Sequence, residues 1–185
     1  MEIKRIKEID IIRPMEVVKA PDSRLRIQTK SVKKIDQSLI NTLKEMVRLT
    51  KTFKDPEGVG LASTQVGLDE SFFVAKKGGK FISVINPKIL SVGKRTKKYF
   101  EGCLSVPNMW GEVKRAINIK VSYQTPEGKT ITVPLKGVLA WIFQHETDHL
   151  NGILFSNRVL EQKGKFYRFT GKDKTGADMF EEVTI

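Results

Sequence analysis

The sequence holds two histidines, and both lie in one pentapeptide, His145-Glu146-Thr147-Asp148-His149. On a helix, residues i and i+4 share a face, so the two imidazoles can reach one ion. Glu146, one residue along, can reach a water bound to that ion. The metal lowers the pKa of such a water toward about 7, and a carboxylate beside it can take the proton. A five-residue pattern with three fixed positions does arise by chance. Here it follows the apolar run Val138 to Phe143, which predicts burial. Two buried histidines one turn apart would need partners for their nitrogens, and an ion supplies them. These residues are the kit of a metal-dependent hydrolase.

Two histidines do not complete such a site. The metzincin pattern, HExxHxxGxxH, is followed as far as Gly152 and then meets Phe155 where its last histidine belongs. Glu161 follows His149 closely, and Glu181 and Glu182 sit in a polar tail, so none is an attractive glutamate ligand. The only cysteine, Cys103, is the better third donor. A lone cysteine excludes an intrachain disulfide and leaves a buried thiol, a reactive one or a ligand. Taken by itself it reads as a small buried hydrophobe.

The elements that must carry these residues are legible in part. Residues 1–35 read as extended and loop-like, with Pro14 and Pro21 breaking any helix. Leu39, Ile40, Leu43, Met46 and Val47 fall at helical spacing and predict an amphipathic helix over Asp36–Thr50, with Asp36 as its cap. A turn-rich stretch, 55–60, leads into Leu61-Ala62-Ser63-Thr64-Gln65. Short strands are expected at Phe72–Ala75 and Phe81–Asn86. Ile117, Ile119, Val121 and Tyr123 alternate as in a half-buried strand, and Thr125-Pro126-Glu127-Gly128 turns the chain back into Ile131–Leu135. A second helix is expected over Lys136–Leu150, stopped by Asn151-Gly152 and buried through its apolar first half, Gly137 to Phe143. From Lys163 onward the chain reads as a polar tail in which Phe166, Tyr167, Phe169, Met179 and Phe180 could dock.

At 185 residues, 39% hydrophobic and 29% charged, the chain fits one globular domain over residues 1–185 with its own core. No apolar run approaches the roughly 20 residues that span a bilayer. The start, MEIKRIKEIDIIRP, has neither the apolar core of a signal peptide nor the acid-poor character of a transit peptide. A cytoplasmic protein without a membrane partner is expected. The charge of +12, from 33 Lys+Arg against 21 Asp+Glu, suits contact with the ribosome or another polyanion. It is spread in short clusters such as Lys33-Lys34, Lys76-Lys77 and Lys97-Lys98, as on any solvated basic surface. Sequence-specific nucleic-acid binding is not expected.

Three ordered segments resemble the peptide deformylase family: Gly58-Val59-Gly60-Leu61-Ala62-Ser63-Thr64-Gln65, Glu101-Gly102-Cys103-Leu104-Ser105, and Gln144-His145-Glu146-Thr147-Asp148-His149-Leu150-Asn151-Gly152. The resemblance runs over roughly residues 17 to 160, with 20–26 similar to the family's N-terminal segment. It implies an α+β fold, with antiparallel sheet segments packed about a central buried helix that carries HExxH, and with the amphipathic helix alongside. It implies removal of the formyl group from the N-terminal formyl-methionine of nascent proteins. Carried over, Cys103, His145 and His149 would hold one divalent ion, ferrous iron first, with zinc or nickel also able to occupy the site. Glu146 would move the proton, and Gln65 with the backbone N–H of Leu104 would steady the oxyanion. Gly60 would let the chain pass close to the substrate backbone. Val59, Leu104 and Ile142 match pocket positions, and Trp141 would close that pocket. Asp148 would orient the site through Arg115.

Three positions depart from the family's usual pattern. Ser63 stands for alanine, Trp141 for arginine or an aliphatic residue, and Trp110 where some relatives carry an arginine near the substrate backbone. Two other functions stay open at this stage besides a degenerate deformylase: an HExxH protease acting on internal peptide bonds, and a basic module binding nucleic acid. The protease lacks its third ligand. The module leaves the ordered metal-type motifs without purpose.

Overall fold

Asp36 starts the first helix and its leucines anchor it. In this computed structural model, which describes residues 14–54 and 57–184, α1 spans Gln37–Thr50, and the Asp36 carboxylate accepts a hydrogen bond from Leu39 N at 3.1 Å. Leu39, Leu43 and Met46, one turn apart, are buried. The expectations for residues 1–13 and for Asp55-Pro56 lie outside the described residues.

Among the described residues, nine strands form two antiparallel sheets. The first orders β1 (Gly60–Ala62), β2 (Phe72–Lys77), β3 (Lys80–Val92), β6 (Asn118–Gln124) and β7 (Thr130–Lys136) side by side as β1-β2-β3-β6-β7. The second joins β4 (Thr96–Cys103), β5 (Val106–Ala116), β8 (Phe166–Lys172) and β9 (Asp178–Val183) in the order β4-β5-β8-β9. The β6–β7 hairpin closes through the expected turn, where Gly128 N donates to Thr125 O at 2.9 Å.

Strand β2 is apolar on both faces because both are covered. Phe72 and Val74 pack with Leu39, Leu43 and Met46 of α1. Phe73 and Ala75 pack on the other side with Ala140, Ile142 and Phe143 of α2, which spans Gly137–Leu150. The two-residue alternation of a strand thus places one helix on each side of the sheet. A third helix, α3 (Phe155–Glu161), presses Phe155 and Val159 onto Val113 and Phe166 of the second sheet. The fold is therefore α+β, with antiparallel sheets and, among the described residues, three α-helices.

Several expectations need correction. The first half of α2 is not buried all round: Val138 is 60% exposed, and Leu139 and Trp141 are only partly covered. The helix begins where the chain leaves β7 at the sheet's rim, so only the Ala140–Ile142–Phe143 side meets the core. The stretch after Lys163 is no loose tail but the β8–β9 hairpin, paired to β5 through Met109↔Arg168, Trp110↔Tyr167 and Gly111↔Phe166. The long β4–β5 hairpin was not foreseen at all, and β3 runs past Asn86 to Val92 through two register shifts, one between Ile85 and Lys88 and one between Ile89 and Ser91. Among the described residues no helix is long and apolar enough to cross a membrane.

Candidate metal centre and active site

Strand β4 delivers Cys103 at its last position, where the ladder with β5 slips between Gly102 and Cys103 and a two-residue turn, Leu104-Ser105, follows. A bulge of this kind re-aims a side chain. Helix α2 presents His145 and His149 one turn apart, both buried. One donor atom from each of Cys103, His145 and His149 lies within 4.8 Å of the others. Cys103 Sγ and His149 Nε2 are 3.2 Å apart. Glu146, between the histidines, is buried, and its Oε2 has no hydrogen-bond partner among the described residues.

A web of charge fixes the first imidazole. His145 Nδ1 meets Glu101 Oε2 at 2.9 Å, leaving Nε2 for an ion. Glu101 is fully buried and also accepts from Arg115 Nε at 2.8 Å, Arg115 Nη2 at 3.0 Å and Trp141 Nε1 at 2.8 Å. Arg115 continues to Asp148, which Arg158 of α3 grips at 2.6 and 3.0 Å. Burial pushes the pKa of Glu101 up, but the hydrogen bonds from Arg115 and His145 outweigh it and hold it down to about 2. The sequence reading gave Asp148 an orienting partner in Arg115 and overlooked Glu101, Arg158 and Ser105. A lone acid in the basic and aromatic run Lys97-Lys98-Tyr99-Phe100-Glu101 was the one available signal.

Gln65 lies in a 3₁₀ turn, Ser63–Val66, that follows β1. Its Oε1 accepts from Ala62 N at 2.8 Å, which turns Nε2 toward Cys103 Sγ at 3.4 Å and Ser105 Oγ at 3.2 Å. The side-chain amide is thus a donor held beside the thiol. Ser63 is fully buried and donates to Glu70 O at 2.5 Å, so its departure from alanine is absorbed locally.

Gly60, expected to let the chain pass close to the substrate backbone, also lies directly against Glu146. A Cβ there would collide with the carboxylate of Glu146. Gly60→Ala is therefore expected to displace that carboxylate and lower kcat/KM by about 10²-fold, since a misplacement near 1 Å costs that much. Steady-state kinetics with a melting curve on the same sample tests this. Unchanged kinetics in a folded variant would remove the link between Gly60 and Glu146.

A cavity of about 250 Å³ opens onto these groups, lined by Gln65, Cys103, His145 and Glu146 and walled by Val59, Gly60, Leu104, Trp110, Trp141 and Ile142. Every expected pocket residue reaches it. Trp141 stacks on Tyr99 at 5.2 Å between centroids, while its indole N–H is tied to Glu101. The Trp110 ring lies against Gly102, where an added Cβ would come within 2.9 Å of it.

The donor set fits a divalent cation on three counts. A thiol and two imidazoles suit borderline metals. Burial lowers the proton affinity of His149 well below the ordinary imidazole range, which leaves a neutral nitrogen able to coordinate. Burial acts likewise on His145, but Cys103 and Glu101 beside it prevail and raise its affinity, so the surroundings of His145 favour a positive charge. A cation supplies that charge.

Comparison with known proteins agrees with this geometry. The family model described as polypeptide deformylase matches residues 14–165. The peptide deformylase of Thermotoga maritima is 42% identical over 142 residues, covering 77% of this chain and 85% of that protein. The crystal structure of peptide deformylase from Thermotoga maritima superposes with a TM-score of 0.74 at 40% identity, covering 78% of this chain and 96% of the other. A peptide deformylase from Synechococcus elongatus, solved with actinonin, gives 0.74 at 32% identity and covers 85% of this chain and 86% of the other. With the family's sequence running through β1, the Cys103 turn and α2, and with its fold reproduced around them, the chain belongs to the polypeptide deformylase family.

Proposed function

We propose that residues 1–185 act as one catalytic domain in which Cys103, His145 and His149 hold a single divalent ion. As a peptide deformylase, the chain is a hydrolase that removes the N-formyl group from nascent proteins. The observation that carries the site assignment is the convergence of the three donors within 4.8 Å, with the Glu146 carboxylate and the Gln65 amide on the same cavity. Ferrous iron is the ion we assign, with zinc and nickel compatible with the same donors. When bound, such an ion polarises a carbonyl and makes water acidic near neutral pH.

The chain's own residues do the rest. The cavity wall of Val59, Ile142 and Trp141 receives the methionine side chain of a formylated peptide. Glu146 takes a proton from the attacking water and returns it to the departing amine, so that formamide and water become formate and a free N-terminus. Gln65 Nε2 and the Leu104 N–H are the donors for the oxyanion that develops on the formyl oxygen as water adds to the carbon, each typically worth about 3 kcal/mol. Glu101 holds His145 in one orientation. Strand β1 is an edge of its sheet, a suitable ladder for an extended peptide. Work on nascent chains places the enzyme in the cytoplasm in this reading, and the charge of +12 suits a ribosomal surface.

Formate release from a formyl-Met peptide, followed without oxygen on iron- or nickel-loaded protein, tests the proposal. Chelation should abolish release, restored metal should return it, and Cys103→Ala should fail to retain the ion. Cleavage inside unformylated peptides would move the chain to the protease reading. Native protein that binds no divalent metal would end the proposed site.

A further inference from the structure

The segment Val18-Lys19-Ala20 crosses the two turns that carry Gln65 and Leu104, and it is bonded to both. Val18 N donates to Gln65 O at 2.8 Å, and Ala20 N donates to Ser105 O at 2.8 Å. Between them, Lys19 Nζ donates to Leu104 O at 2.6 Å, a carbonyl 85 residues away in sequence. We propose that Lys19 is a positioning residue of the reaction, whose ammonium clamps the Leu104-Ser105 turn and so aims the Leu104 N–H at the developing oxyanion. The inference rests on the deformylase reading of the site.

Three observations support it. The turn needs an outside hold, because Leu104 and Ser105 lie between the strands, just past the slip in the ladder between Gly102 and Cys103. The two halves of the turn are held differently. Ser105 is fully buried and receives both Ala20 N and the Gln65 amide, the latter at 3.2 Å on its Oγ. Leu104 is only partly covered, and Lys19 holds its carbonyl. The peptide planes that bear the N–H and the carbonyl of Leu104 meet at its Cα, so a fixed carbonyl leaves the N–H less room to rotate. The lysine itself is steered. Its ammonium lies 5.7 Å from the centre of the Phe53 ring, and a charged donor makes the stronger kind of hydrogen bond. Lys19 is exposed, so its removal should leave the fold intact.

The test measures kcat and KM for formate release from formyl-Met-Ala-Ser on metal-loaded full-length protein, native, Lys19→Met and Lys19→Arg. Methionine keeps an apolar stem and removes the donor. Its kcat should fall about tenfold, a part of the roughly 10²–10³-fold that a whole oxyanion donor is worth, while KM stays near native. Lys19→Arg keeps a cationic donor and should retain most of the native kcat. The deformylated product Met-Ala-Ser, which forms no oxyanion, should inhibit native protein and Lys19→Met equally. On zinc-loaded protein, the NMR order parameter of the Leu104 N–H should stay near the rigid value of about 0.85 in native protein and Lys19→Arg, and drop toward about 0.6 in Lys19→Met. A native kcat in folded, metal-loaded Lys19→Met would overturn the clamp and leave the deformylase reading standing. So would a loss confined to KM, or a lower kcat with the Leu104 N–H still rigid. No formate from the native protein would overturn the reading and the clamp together.

Discussion

Glu146→Gln is expected to lower kcat for formate release by roughly 10²–10⁴-fold, the range lost when a positioned proton-transfer group is removed. KM, metal content and melting temperature should stay near native. The separation follows from how Glu146 is held. It is not among the three converging donors, so its amide substitute leaves the proposed ligands intact. Glutamine matches it in volume, so the close approach to Gly60 survives. Burial raises the carboxyl to about 7, where one group can accept a proton in one step and release it in the next near neutral pH. An amide can do neither. Metal analysis and a melting curve run beside the kinetics decide the interpretation. A loss below tenfold with metal retained would mean that another group moves the proton.

How far the sequence revealed this molecule depends on the kind of contact that holds each part. Helix α1 and the β6–β7 hairpin were readable because local signals make them, a cap and leucine spacing in one, an alternating run and a Thr-Pro-Glu-Gly turn in the other. Strand β4 was not. Its first three residues, Lys97 and Lys98 among them, are exposed whichever face they take, and one inward residue is Glu101, which no apolar alternation can register. A carboxylate belongs inside only because Arg115, Trp141 and His145 come to it from other elements. The C-terminal hairpin did announce itself in Asp173-Lys174-Thr175-Gly176. There Asp173 Oδ1 accepts from Thr175 N at 2.7 Å and Gly176 takes a positive φ of 86°. Without a continuous apolar face, the strands around that turn passed for tail.

The pairing of the histidines was legible from spacing alone, while the choice of Cys103 leaned on family resemblance. Nothing local distinguishes a ligand thiol from a buried one. What brings it to His149 is a strand end on a different sheet, 46 residues away in sequence. Gln65 is similar, since its orientation comes from the Ala62 amide and only the fold puts Cys103 and Ser105 in front of it.

Glu101→Gln is the second substitution expected to have a large effect, and it should act differently from Glu146→Gln. Removing one partner of a buried ion pair strands the other, typically at about 3–5 kcal/mol. Here Asp148 still faces Arg115, so about 3 kcal/mol is expected, read from chemical denaturation. Glutamine also weakens the carboxylate–imidazole contact that fixes His145, and such outer partners of a ligand are worth roughly 10–100-fold in metal affinity or activity. Activity should therefore fall together with metal retention, and excess metal should restore part of it, a rescue that Glu146→Gln cannot show. Trp141 gives an independent check, since its indole N–H loses a charged acceptor at 2.8 Å and its fluorescence should shift. If the variant loses stability but keeps metal and turnover, the role of Glu101 is to clamp Arg115, and the orientation of His145 must come from its packing on α2.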